Sequence, residues 1–172
     1  TIDNNNNLYV ITHDNDNNRV IKIDSNKQVT VLINGEANEE FKGITIDKYG
    51  HLYVSSDINY IYKIFIDNAV VTKDIYCNLG SVTLQSLCFN NDDELISVDT
   101  LGIIYKVTTG GELMYVGGTE DGEIDNYNTT DYKVINNYGI AVDKSNNIYV
   151  SSWSSHVILQ IDINGLAKRF AG

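Results

Sequence analysis

Apolar residues along this chain fall in short alternating runs, with no stripe at helical spacing. Runs of four to seven residues rich in Ile, Val, Tyr and Thr are bounded by Asn, Asp, Gly and Ser, which is strand and turn chemistry. Laid against itself, the chain repeats. Thr1-Ile2-Asp3 returns as Gly43-Ile44-Thr45-Ile46-Asp47, as Ser86-Leu87-Cys88-Phe89-Asn90 and as Gly139-Ile140-Ala141-Val142-Asp143. Five residues after each Asp or Asn stands a second run: Leu8-Tyr9-Val10, Leu52-Tyr53-Val54, Leu95-Ile96-Ser97 and Ile148-Tyr149-Val150. A third follows as Val20-Ile21-Lys22-Ile23, Ile61-Tyr62-Lys63-Ile64, Ile104-Tyr105-Lys106-Val107 and Ile158-Leu159-Gln160-Ile161. A fourth apolar stretch closes each unit, at 29–33, 70–76, 113–116 and 166–171.

The marker residues at 3, 47, 90 and 143 are 44, 43 and 53 apart, a period that signals stacked supersecondary units. Lys48-Tyr49-Gly50, Lys144-Ser145-Asn146-Asn147 and Asn164-Gly165 supply the positive φ that hairpins need. The expectation is an all-β chain of four antiparallel four-stranded blades, a β-propeller with the first run of each blade innermost. Blades are placed at about 1–42, 43–85, 86–138 and 139–172. A β-sandwich of short strands would give similar turn signals, but it does not require every fourth strand to resemble the first.

The blocks resemble the NHL-repeat propellers. Gly139-Ile140-Ala141-Val142-Asp143, then Asn147-Ile148-Tyr149-Val150, a polar loop, and His156 before an aliphatic strand follow that family's pattern. Asn18-Arg19-Val20-Ile21-Lys22-Ile23 matches the same segment, and the run from Val116 to Gly122 resembles a long connection found in bacterial members. Ser151-Ser152 departs from the usual Ala-Asp, and the third repeat has Ser86 and Asn90 in place of Gly and Asp. The resemblance implies a fold more than a function. It also implies six blades where four are present, so three arrangements stay open: part of a longer ring, two copies completing one, or four blades closing alone. The Gly-His and Trp-Asp pairs of WD40 repeats are missing.

With 172 residues, 42% of them apolar, the chain is long enough for one core, and no window is apolar enough to span a membrane. It reads as soluble. No basic and apolar leader follows Thr1, and the compartment stays open. A net charge of −11, with no Lys/Arg cluster beyond Lys168-Arg169, argues against nucleic acid and against anionic membranes as partners. Cys77 and Cys88 are expected on outermost and innermost strands, too far apart for a disulfide. No proline occurs, and the Asn, Ile, Lys and Tyr richness suggests coding bias.

Candidate chemistry lies on the face shared by the connections from strand four to one and from strand two to three: 34–42, 78–85, 117–137, 12–18, 55–59, 99–102 and 151–155. From it we single out Trp153, His156, Tyr138, Asn137 and Lys42 as ligand-binding candidates, with no catalytic set and no metal set. Trp153, the only Trp, either anchors a ligand there or packs between blades. His156 is the repeat's own His. His13 and His51 occupy other repeat positions, so a three-His zinc centre is not expected, and the lyase members of the resembled family, which depend on such a centre, match poorly. Asp14-Asn15-Asp16-Asn17-Asn18 imitates a calcium loop but has Arg19 and Ser25 where Gly and Glu belong. Residues 120–125 could also hold calcium, and Asn128-Thr129-Thr130 is a glycosylation sequon. No other cofactor is expected.

Two functions follow. One is a non-catalytic interaction module binding a protein or small ligand on the loop face. The other is a lactonase-like hydrolase with a divalent cation held by Asp, Glu or Asn of the inner strands. Propellers host both.

Overall fold

The computed structural model describes residues 1–14, 17–67, 70–108, 110–118, 137–153 and 156–172, with all their side chains except those of Asp14, Asn17, Asn137 and Tyr138. Every element among them is a strand. The first sheet contains β1 (Leu8–Asp14), β2 (Asn17–Ile23) and β3 (Val29–Asn34), paired in that order. The second contains β4 (Phe41–Ile46), β5 (Leu52–Ser56), β6 (Tyr60–Asp67) and β7 (Val70–Asn78). The third holds β8 (Leu84–Phe89), β9 (Leu95–Asp99), β10 (Ile104–Val107) and β11 (Leu113–Gly117). The fourth holds β12 (Asn137–Val142), β13 (Ile148–Ser152), β14 (Val157–Ile161) and β15 (Ala167–Ala171). Each is an antiparallel meander whose neighbours in sequence are neighbours in the sheet, and they are the blades of a β-propeller.

One expected strand is missing. Thr1-Ile2-Asp3 makes a single bridge, Ile2 to Leu8, so the first sheet has three strands where four were expected. In later blades the innermost strand starts six residues or so before its Asp or Asn, and its first residue pairs beyond a bulge, as Phe41 does with Ser56 and Leu84 with Asp99.

The repeat extends to its irregularities. A bulge at the start of the third-to-fourth strand pairing occurs at Val20/Ile21, Ile61/Tyr62, Ile104/Tyr105 and Ile158/Leu159. Gly118 and Gly172 sit at the outer end of this feature with φ of +88° and +114°, and a Cβ there would meet the carbonyl oxygens of Gly102 and His156 at 2.5 and 2.1 Å. Only glycine fits such an approach.

The chain divides into two compact units, Thr1–Thr83 and Leu84–Gly172. In the first, Tyr9, Val20 and Ile11 of the first blade pack on Leu52, Val54, Tyr62 and Ile64 of the second, with Phe41 edge-on to Tyr62. In the second unit, Ile96, Val98 and Ile104 of the third blade pack on Ile148, Val150, Leu159 and Ile161 of the fourth. Neither cysteine is in a disulfide, with Cys77 buried on outermost β7 and Cys88 partly buried on innermost β8.

Candidate functional site

The marker Asp of each repeat builds the turn after the innermost strand. Asp47 Oδ1 accepts the amides of Tyr49 (2.9 Å) and His51 (2.8 Å), while Oδ2 meets His51 Nδ1 (2.8 Å) and the Tyr53 hydroxyl (3.4 Å). Asp3 repeats this with Asn5, Asn7 and Tyr9, and Asp143 with Ser145, Asn147 and Tyr149. Asn90 keeps the two amide bonds, to Asp92 and Glu94, through its one carbonyl oxygen. Burial pushes Asp3 and Asp47 up, but the hydrogen bonds outweigh it and hold both carboxyls below their ordinary value. Asp143 is lowered too, first by the Asn147 side chain. The Tyr partners move the other way: burial and then the adjacent carboxylate push Tyr9 and Tyr53 up to about 12.

At the other end of the blades lies the expected loop face, and in the first unit it is stitched by short polar side chains. The Asn18 amide donates to the Glu39 carbonyl (2.7 Å), the Glu40 amide donates to Asp57 Oδ1 (2.7 Å), and Asn59 bonds Gly80 and Thr83. Beneath them Glu39 is nearly fully buried, its carboxylate accepting from the Glu36 amide (2.8 Å) and the Ser56 hydroxyl (2.7 Å). Burial raises Glu39, but these bonds, the Tyr62 hydroxyl and the Lys73 charge bring it below the ordinary range. Over this layer Lys42 pairs with Glu40, whose carboxyl is lowered first by that bond and also by His13. Lys42 is a residue of β4 and not of the preceding loop.

In the second unit Trp153 stands in the β13–β14 turn with 65% of its surface exposed. The His156 amide donates to the Trp153 carbonyl (3.3 Å), and His156 is exposed with φ of +53°. Next to that turn in the fold's logic, Asp99 closes the corresponding β9–β10 turn by accepting the Leu101 and Ile103 amides (2.9 and 2.8 Å), and burial pushes it up. Of the candidates, Trp153 and His156 share one turn, Lys42 belongs to the first unit, and Asn137 and Tyr138 lie in β12 with side chains outside the described set. Asn15 and Asp16 of the calcium-like loop, residues 120–125 and the sequon at Asn128 also lie outside the described residues. His51 serves the Asp47 turn, and His13 bonds Asn18. The sequence reading missed Glu39 and Glu40; the first lies inside a polar loop with no pattern to show that it is buried.

No family model matches the chain, and no curated protein matches it. Solved structures do. The virginiamycin B lyase of Staphylococcus aureus is 15% identical with a TM-score of 0.68, over 99% of this chain and 54% of that one. An auxiliary nutrient binding protein from Bacteroides ovatus is 12% identical with a TM-score of 0.77, over 100% and 46%. A candidate gluconolactonase is 8% identical with a TM-score of 0.68, over 99% and 57%. At these identities the likeness is one of fold alone. The chain spans about half the length of each.

Proposed function

We propose that the chain is a non-catalytic binding module of NHL-like blades that takes a protein or small ligand on its loop face. The observation that carries this reading is Trp153, a large aromatic held in solvent on a short turn between two paired strands. A rigid aromatic loses little entropy on binding and desolvates a large area, which is why such residues anchor ligands. Among the described residues of its turn, the His156 amide bonds the Trp153 carbonyl. His156 on the same turn supplies a polar group beside it.

The repeat carboxylates support the same reading. Asp3, Asp47 and Asp143 have both oxygens engaged by their own turns, so they are poor recruits for a channel cation. A fold shared with a nutrient binding protein is compatible with a binding role.

The single Trp makes the test direct. Titrating soluble oligosaccharides, amino acids and short peptides while following Trp153 emission is expected to give a saturable shift with one class, and Trp153→Ala is expected to weaken that ligand at least tenfold by calorimetry. Turnover of lactones abolished by EDTA would overturn the non-catalytic reading.

A further inference from the structure

Three blades place a phenol ring at one repeat position, and the third blade does not. Six residues after the marker stand Tyr9, Tyr53 and Tyr149, whose hydroxyls donate to Oδ2 of Asp3, Asp47 and Asp143 at 3.0, 3.4 and 3.1 Å. In the third blade the same two positions hold Ile96 and Asn90. The surroundings of the ring repeat as well. At the bulge of the outermost strand Tyr76 stands edge-on to Tyr53, and Phe170 to Tyr149, both at 5.0 Å; the bulge residue of the third blade is Val116. From the neighbouring strand Lys63 Nζ lies 5.0 Å from the Tyr53 ring centroid, and Gln160 Nε2 donates to the Tyr149 hydroxyl at 2.6 Å. Their counterpart, paired with Ile96, is Lys106.

These four positions, Asn90, Ile96, Lys106 and Val116, line one cavity of about 340 Å³ in the second unit. Small-molecule sites run from roughly 300 to 1,000 Å³, so the volume suits a ligand of about one ring. The other wall is the fourth blade, with buried Ile148 and with Ile163, 76% exposed. The two walls are tied together, since the Asn91 side chain donates to the Asp143 carbonyl (2.8 Å) and the Asn146 side chain to Asp92 (2.7 Å). In the first unit the corresponding place is taken by the chain itself: Tyr9, 4% exposed, packs on the second blade in a cluster with Leu52, the counterpart of Ile148. The third blade also brings a carboxylate to the cavity. Glu94 accepts from the Asn90 side chain (2.9 Å) and pairs with Lys106.

We propose that the cavity between the third and fourth blades is a binding site for a phenol, carried by a small molecule or by a tyrosyl side chain of a partner. The ring takes the place that tyrosine fills in the other blades, against the aliphatic side chains of Ile96, Val116 and Ile148. Its hydroxyl meets the Glu94 carboxylate in place of the marker Asp, and Lys106 attends the ring as Lys63 attends Tyr53. What the other blades supply from within, a ligand supplies here. The site is separate from the loop face. The cavity is lined from the β8–β9, β12–β13 and β14–β15 turns, at the opposite end of the blades from the β13–β14 turn of Trp153.

The test is an amide chemical-shift titration of the 172-residue chain with p-cresol, the tyrosine side chain as a free molecule. Saturable shifts are expected at residues 90–96 and 162–165, with a dissociation constant of about 1 mM or tighter. Ile96→Tyr returns the repeat's own ring to the cavity and is expected to weaken p-cresol by about tenfold or more. An unchanged circular dichroism spectrum checks its fold, and Val116→Tyr, which places a ring where Tyr76 stands in the second blade, replaces it if that fails. Trp153→Ala is expected to leave p-cresol binding unchanged, which separates this site from the loop face. Toluene is expected to bind about threefold or more weakly than p-cresol, having no hydroxyl for Glu94. N-acetyltyrosinamide tells the two sources apart: affinity equal to that of p-cresol assigns a tyrosyl side chain, and its exclusion assigns a free phenol. No saturable shift with p-cresol overturns the proposal, as do shifts confined to residues 151–156 or binding that survives filling of the cavity. Toluene binding as tightly as p-cresol overturns the assignment of a phenol.

Discussion

Asp47 shows what one residue does in this fold. Its two oxygens fix the backbone of the 47–51 turn, the His51 ring and the Tyr53 hydroxyl, with Lys63 Nζ at 3.7 Å. Asp47→Ala strands these donors and is expected to cost about 2–3 kcal/mol, read as a lower urea midpoint at constant slope. Asp47→Asn keeps the two amide bonds, as Asn90 does naturally, and should lose less. Asp99→Asn is expected to leave the midpoint unchanged or raise it, because burial pushes that carboxyl up and removing its charge removes the cost. The pH dependence follows from the signs. Asp3, Asp47, Asp143, Asp162 and Glu39 have folded values below their ordinary 3.8 or 4.5. Their stabilisation is therefore complete above those values and is lost as pH falls through the lowered ones, with Asp99 opposing. Urea midpoints between about pH 7 and pH 3 should be flat down to roughly pH 5 and then fall.

At the scale of elements, connections and not strands carry the unusual chemistry. Glu39 ties the β3–β4 connection to Ser56 of β5 and, through the Tyr62 hydroxyl, to β6. Glu39→Ala leaves buried donors without an acceptor and is expected to cost roughly 3 kcal/mol, loosening loop contacts in the first unit as read by amide exchange at residues 36–40. Two glycines of almost equal φ separate backbone strain from crowding. Gly50 at +89° has open space where a Cβ would go, and Gly118 at +88° has the Gly102 carbonyl oxygen 2.5 Å away. Gly50→Ala should cost about 1–2 kcal/mol from φ alone, and Gly118→Ala distinctly more, measured by thermal unfolding.

For the whole molecule, the thiols report on opening. Burial pushes Cys88 up to about 12 and raises Cys77, so neither is a ready thiolate at neutral pH. A thiol reagent at about pH 8 is expected to label the native chain slowly and to label in urea along the unfolding transition; fast labelling of both in the native state would contradict this burial.

The sequence by itself determined the blades. A period-2 pattern of Ile, Val and Tyr selects strands, and Asp-to-Tyr spacing recurring at 3 and 9, 47 and 53, and 143 and 149 selects one meander for each repeat, because both are local in the chain. It also singled out Trp153 but not its environment. Tertiary structure decided what depends on neighbours distant in sequence: that Glu39 is buried and Trp153 is not, that Lys42 is a strand residue paired with Glu40, and that Thr1-Ile2-Asp3 forms a bridge and not a strand. Burial is a property of the space between blades, and the same Leu-Tyr-Val run is core at 52–54 and partly solvent-facing at 8–10 according to whether another blade lies against it.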